Sequence, residues 1–267
     1  MKLRHKTITL DDGFRVGVTT AGRGTPLVFL HGLTLCAEAY AELFLELAHR
    51  GFRVIALDAA NHGRTDSLPW GHTVADMIGV TARALTHLGI HHAVMVGHSM
   101  GGGMVVEFAA KHPDRTAAAI LLNAAAGEEH HDGLKAGSYP ALAWRAARKL
   151  ATATVDLVCD SYQAGKFNVP KSGLRCVRAA LALLRADTVP LLSTLRANAV
   201  RTAVIHSEFD QIVPFAAGAS AARAAAGRLY EIRGGFHSWM LTDPQLAGQV
   251  IAQAYEETVV AAESRAA

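Results

Sequence analysis

The stretch Ala93-Val-Met-Val-Gly-His-Ser99-Met-Gly101-Gly102-Gly103 passes from strand chemistry to helix chemistry within one turn and leaves a serine at the corner. Ala93 to Val96 is a short apolar run that reads as a buried strand, and Met104 to Ala110 is apolar and helix-compatible until Pro113 stops it. Gly97 and Gly101 lie two positions either side of Ser99, in a G-x-S-x-G pattern, where so sharp a turn admits no crowding side chain. A serine in such a turn is strained and held out for attack. The helix behind it aims free N–H groups and its positive dipole end at the same point, so the N–H of Met100 is placed to hold an oxyanion.

Outward from this turn, apolar runs recur at Pro26 to Leu30, Arg53 to Leu57, Ala117 to Leu122, Thr202 to His206 and Leu229 to Ile232. They alternate with helix-like segments at Ala37 to His49, Thr73 to Leu88, Met100 to His112, Phe215 to Ala226 and Pro244 to about Ala262. That rhythm is the signature of parallel strands covered on both faces. Thr7 to Leu10 and Phe14 to Thr19 flank the turn Asp11-Asp12-Gly13 and read as a leading hairpin. From about Ala125 to Leu195 the rhythm lapses into an alanine-, leucine- and arginine-rich helical insertion, with Leu142, Trp144, Leu181 and Leu184 expected to face the main domain.

Composition bounds the partners. The chain has 267 residues, 51% hydrophobic and 18% charged, enough for one large core or one core with an insertion. A net charge of +3 without a long lysine or arginine run gives no reason to expect nucleic acid. The basic start Met1-Lys-Leu-Arg-His-Lys is followed by too short an apolar run for a signal peptide or membrane insertion, so a cytoplasmic protein is expected. Cys36, Cys159 and Cys176 are odd in number and lack CxxC spacing, so each reads as a small buried hydrophobe. His130-His131-Asp132 lacks a third spaced ligand and reads as an exposed turn, so no metal is expected. No P-loop or Rossmann glycine pattern occurs, so no nucleotide cofactor is implied.

A serine hydroxyl needs a base, and the base works best when a carboxylate fixes its tautomer. In the strand–turn–helix form of such a site the partners follow in the order Ser, Asp or Glu, His, on loops after later strands. Glu208-Phe-Asp210-Gln-Ile-Val-Pro214 and Gly234-Gly-Phe-His237 occupy those places, which selects Asp210 and His237, with Glu208 as the rival acid. The position after the preceding core strand holds Asn123, which cannot serve as an ionised acid. His31-Gly32-Leu33 follows an early strand, where the backbone N–H of Leu33 would be the second oxyanion donor and His31 would hydrogen-bond the loop.

Taken together, His31-Gly32, Asp58-x-x-Asn61-His62-Gly63-Arg64-Thr65, Gly97-His98-Ser99-Met100-Gly101-Gly102, Asp210-x-x-Val213-Pro214 and His237 resemble the α/β-hydrolase superfamily over nearly the whole chain. The resemblance implies an α/β-hydrolase fold: an eight-stranded, mostly parallel sheet with helices on both faces, residues 1–124 and 196–267 forming the core and 125–195 a helical cap. It also implies a Ser99–Asp210–His237 triad and no cofactor. Asn61 and Thr65 replace a glycine and a serine usual in the family's loop, and Ser207 stands where a glycine is common before the acid. The expected activity is a serine hydrolase acting on a small-molecule carboxylic ester or thioester. Carbon–carbon bond hydrolases, cofactor-free haloperoxidases or perhydrolases, and small-molecule receptors share the same framework.

Overall fold

The computed structural model describes residues 2–135, 158 and 161–260. Arg4–Thr9 (β1) and Arg15–Ala21 (β2) form the leading hairpin, with Thr7 opposite Gly17. The apolar runs become Thr25–Leu30 (β3), Phe52–Leu57 (β4), Ala93–His98 (β5), Thr116–Leu122 (β6), Thr202–Ser207 (β7) and Arg228–Ile232 (β8). All eight join one sheet in the order β1-β2-β4-β3-β5-β6-β7-β8; β2 meets β4 antiparallel, and the strands from β4 across to β8 are parallel.

This order fixes where a site forms. After β3 the chain moves to β4 on one side and then crosses to β5 on the other, so the carboxyl ends of β3 and β5 flank a topological switch point. Loops diverge there and leave a crevice. His31-Gly32-Leu33 leaves β3, and Ser99 leaves β5, on its two sides.

Alternate residues of the strands feed two apolar layers. Val28, Leu30, Ile55 and Met95 pack with Met77 and Ile78 of Val74–His87 (α2) and with Val105 and Phe108 of Met100–Lys111 (α3). Leu27, Phe29, Val94 and Val96 pack on the other face with Phe44 and Leu47 of Ala41–His49 (α1) and Ile251 of the helix Pro244–Tyr255. α2 starts in a reciprocal cap: the Asp76 N–H donates to Thr73 Oγ1 at 3.2 Å and the Thr73 N–H to Asp76 Oδ2 at 2.7 Å.

Between β6 and β7 the described residues include helices at Glu128–Lys135 (α4), Val169–Ser172, Cys176–Leu183 and Val189–Ala197, with a wider helical turn at Ala164–Asn168. Two expectations are corrected here. Leu181 and Leu184 are 40% and 39% exposed. The helix instead turns Ala179 and Ala182 inward, small side chains that let its backbone approach α2 closely. His131 is buried in a helix and not in an exposed turn: its Nε2 lies 2.6 Å from Thr188 Oγ1 and accepts the Thr188 N–H at 3.0 Å. The helix Val189–Ala197 crosses residue 195 and places Leu192 and Leu195 in the same apolar layer as α3.

Leu142, Trp144 and Cys159 lie outside the described residues. Cys36 is buried, its thiol pushed up to about 12 by desolvation and by the nearby Asp58 charge, and Cys176 is half-buried. Among the described residues no helix is long and apolar enough to cross a membrane, and no group of three or more His, Cys, Asp or Glu could hold a metal ion.

Candidate active site

Ser99 joins β5 to α3 with φ 54° and ψ −117°, a left-handed conformation rare for a non-glycine residue. Its neighbours over-determine that strain. The Ser99 N–H donates to Leu122 O at 3.0 Å, and its carbonyl accepts from Gly102 at 2.9 Å, Gly103 at 3.3 Å and Ala125 at 2.9 Å. A Cβ on Gly97 would stand 2.2 Å from Gly101 O, and one on Gly101 would stand 2.0 Å from Leu30 O, so both contacts are backbone and cannot yield. Met100 opens α3, where its N–H has no acceptor within the helix.

The loop after β3 is tied down residue by residue. The Gly32 N–H donates to Tyr40 Oη at 3.1 Å, and the Leu35 N–H donates to Gly32 O at 3.1 Å. His62 Nε2 lies 2.5 Å from Leu33 O. His31 Nδ1 bonds Gly32 O at 2.8 Å while its Nε2 accepts the Ala59 N–H at 2.9 Å, so His31 holds two loops together as a neutral ring. Desolvation, with the nearby His31, pushes the His62 ring down to about 3, and burial also lowers His31. Asn61 takes φ 72°, replacing the usual glycine with the side chain best able to adopt that backbone. Thr65 Oγ1 donates to Asp58 O at 2.6 Å and accepts the Gly17 N–H at 2.9 Å.

Asp210 and His237 meet beside His98, the residue before Ser99. His237 Nδ1 donates to Asp210 Oδ2 at 2.8 Å, and both residues are buried. The other carboxylate oxygen accepts the N–H groups of Ile212 at 2.8 Å and Val213 at 2.7 Å. Burial alone would raise the Asp210 carboxyl. The attraction and hydrogen bond of His237, the ring of His206 and the Val213 N–H outweigh it, and the group lies below the ordinary aspartate range. With Nδ1 used as donor, Nε2 is the basic nitrogen of His237. Glu208 instead turns outward and accepts the Gly234 N–H at 3.1 Å.

Several supporting residues were invisible to motif reading. Asn123, at φ 41°, spends its whole amide: Nδ2 donates to Asp210 Oδ2 at 2.7 Å and to Ser207 Oγ, and Oδ1 accepts Trp239 Nε1–H at 3.0 Å. Ser207 Oγ in turn donates to Phe236 O at 2.8 Å, tying the acid's strand to the histidine loop. His98 Nε2 donates to His237 O at 3.1 Å, its Nδ1 accepts from Tyr40 Oη at 2.7 Å, and its ring lies 4.8 Å from the His237 ring. Burial, followed by the nearby His237, holds His98 well below the usual histidine range. The residue before Ser99 therefore connects the loop of Gly32 to that of His237.

A family model described as alpha/beta hydrolase fold matches residues 25–155. A relative from Mycobacterium phage D29, provisionally named a non-heme haloperoxidase, is 56% identical over 265 residues, covering 94% of this chain and 95% of its own. The chain belongs to the α/β-hydrolase superfamily. A non-heme haloperoxidase of Rhodococcus erythropolis is 29% identical over 80% of this chain and 85% of its own. Among solved structures, a thermophilic esterase from Thermogutta terrifontis superposes with a TM-score of 0.76 at 23% identity, covering 96% of this chain and 99% of its own. An enol-lactonase from Burkholderia xenovorans LB400 does so at 0.74 and 20%, covering 93% and 99%.

Proposed function

We propose that this protein is a cofactor-free serine hydrolase that cleaves a small to medium hydrophobic carboxylic ester or thioester in the cytoplasm through an acyl-enzyme. The observation that carries this reading is the buried Asp210–His237 pair, 2.8 Å apart, whose histidine loop is bonded through the His237 carbonyl to His98, next to the strained Ser99. Ser99 Oγ attacks the carbonyl carbon as His237 Nε2 takes its proton, and the ionised Asp210 stabilises the imidazolium. The N–H groups of Leu33 and Met100 hold the oxyanion. Its collapse expels the alcohol or thiol, which receives the proton from His237. Water then repeats the sequence on the acyl-enzyme and frees the acid and Ser99. Residues 1–124 and 196–267 form the catalytic core in this reading, and 125–195 roof it as a cap.

The test is labelling by a fluorophosphonate together with turnover of p-nitrophenyl esters of rising acyl length. Both are expected in the wild type and lost in Ser99→Ala, by about 10⁴-fold or more in kcat. A wild type inert to both probes overturns the reading.

The relatives named as haloperoxidases favour a second outcome for the same acyl-enzyme. If hydrogen peroxide attacks it in place of water, the acyl group leaves as a peracid, Ser99 regains its proton, and the peracid oxidises halide in solution. Halide oxidation that requires both peroxide and a carboxylic acid or ester, and disappears in Ser99→Ala, is the expected signature.

A further inference from the structure

The loop that offers the Leu33 N–H has one anchor from outside the core strands and their connections. Asn168 lies between β6 and β7, in the segment leading to the helix Cys176–Leu183, and is 1% exposed. Its Nδ2 donates to Thr34 O at 3.0 Å, and its Oδ1 accepts the Gly63 N–H at 2.9 Å and Ser172 Oγ–H at 2.7 Å. Arg175 Nη2 reaches the Gly63 carbonyl at 3.3 Å, so both polar groups of that peptide residue are held from the insertion. Within the core, Tyr40 holds the Gly32 N–H and His62 holds Leu33 O. Asn168 therefore grips the carbonyl next after the one His62 grips, and at the same time grips the His62–Gly63 turn.

Resting on the serine hydrolase reading above, we propose that Asn168 is a positioning residue for the oxyanion loop: it sets the direction of the Leu33 N–H, so that the insertion helps form the oxyanion hole as well as roofing the site. The physical ground is that an oxyanion donor acts only within about 2.7–3.1 Å of the developing charge. A loop whose Thr34 carbonyl has lost its donor shifts to find another. A displacement of about 1 Å is enough to cost on the order of a hundredfold in rate.

Asn168→Ala is expected to lower kcat on a p-nitrophenyl ester about ten- to hundredfold with KM within about twofold. Affinity for a boronic acid, which mimics the tetrahedral intermediate on Ser99, should fall in parallel. Lys171→Ala is the control. It removes the ion pair between Lys171 and Glu38, another tie between insertion and core, but leaves the Asn168 contacts in place, so kcat should stay within about twofold. Equal loss in both variants, or a loss in Asn168→Ala confined to KM, overturns the proposal in favour of general docking of the insertion. Amide hydrogen exchange supplies a readout independent of turnover: residues 32–35 should exchange faster in Asn168→Ala than in wild type or Lys171→Ala. Unchanged exchange there overturns the coupling even if the wild type proves inert to esters, which would instead count against the serine hydrolase reading.

Discussion

On the sheet, Phe29, Val94, Val96 and Ile120 are fully buried against leucines and phenylalanines of the covering helices. In the segment from Asn168 to Leu184 the buried apolar groups are two alanines, Ala179 and Ala182. That segment docks instead through polar contacts: Asn168 to Thr34 and Gly63, Arg175 to Ser67 at 3.2 Å, Arg178 to Leu68 O at 3.0 Å, and Lys171 to Glu38. It leaves Leu174, Val177, Leu181 and Leu184 substantially exposed. Apolar burial is non-directional and summed over area, so it builds a rigid platform. Hydrogen bonds contribute little net energy but are angle-dependent, so they set where one segment sits on another. The sheet is held by buried area, and the segment from Asn168 to Leu184 by directed polar contacts.

The largest effect that could break this comparison is in the sheet. The Phe29 ring centroid lies 4.7 Å from that of Tyr40, tilted, and 5.1 Å from that of Phe44, edge-on, and Phe29→Ala should cost about 3–5 kcal/mol in denaturant unfolding. A loss below about 1 kcal/mol would deny that the sheet face dominates stability.

Next come the buried histidines beside the site loops. His31 and His98 titrate lower when folded than the ordinary value of 6.5, with burial the leading cause, and each accepts a hydrogen bond on one ring nitrogen, from the Ala59 N–H and from Tyr40 Oη–H, as a neutral ring does. Between the folded and the ordinary values the unfolded chain binds protons that the native state refuses, so stability falls as pH drops. The unfolding free energy should be flat just above pH 6.5 and decline progressively below it, by on the order of a few kcal/mol in total by about pH 4, and the melting temperature should fall with it. A melting temperature that holds steady down to pH 4 would contradict the neutral, buried rings.

Asn123→Ala removes three side-chain hydrogen bonds at once and leaves Trp239 Nε1–H without its acceptor. The expected cost is about 1–3 kcal/mol, with kcat falling more than KM rises because the Asp210–His237 pair loses a brace. Full activity in this variant would show that Ile212, Val213 and His206 suffice to hold Asp210. The smallest effect sharpens the contrast: Leu181→Ser, on the outward face of the insertion, should change stability by no more than about 0.5 kcal/mol. A loss near that of Phe29→Ala would mean this face is covered in solution.

The turn around Ser99 was legible because its sequence marks are local: glycines stand two positions either side of the serine, and the strand and helix that flank it announce themselves by apolar runs. Glu208 and Asp210 fit the chain order equally, and it is the structure that sets Asp210 against His237 and turns Glu208 to the Gly234 amide. The helix Cys176–Leu183 was legible as a helix but not in its orientation. Leucine-rich spacing pointed Leu181 and Leu184 inward, whereas close approach favoured the alanine stripe.

Hydrophobic period and the glycine spacing thus carried the strands, their alternation with helices and the turn at Ser99, since each is written in residues within a few positions of one another. The partners of Asn123, Ser207, Trp239, His98, Tyr40 and Asn168 belong to another level. Asn123 reaches Asp210 and Trp239 because β6 and β7 pair with Leu122 beside Ile205, and β7 and β8 with Ser207 beside Ile232. Asn168 reaches Thr34 across 134 positions of chain. A single amide has no periodicity to betray it, and its hydrogen bonds exist only once the packed sheet has brought distant loops within 3 Å of each other.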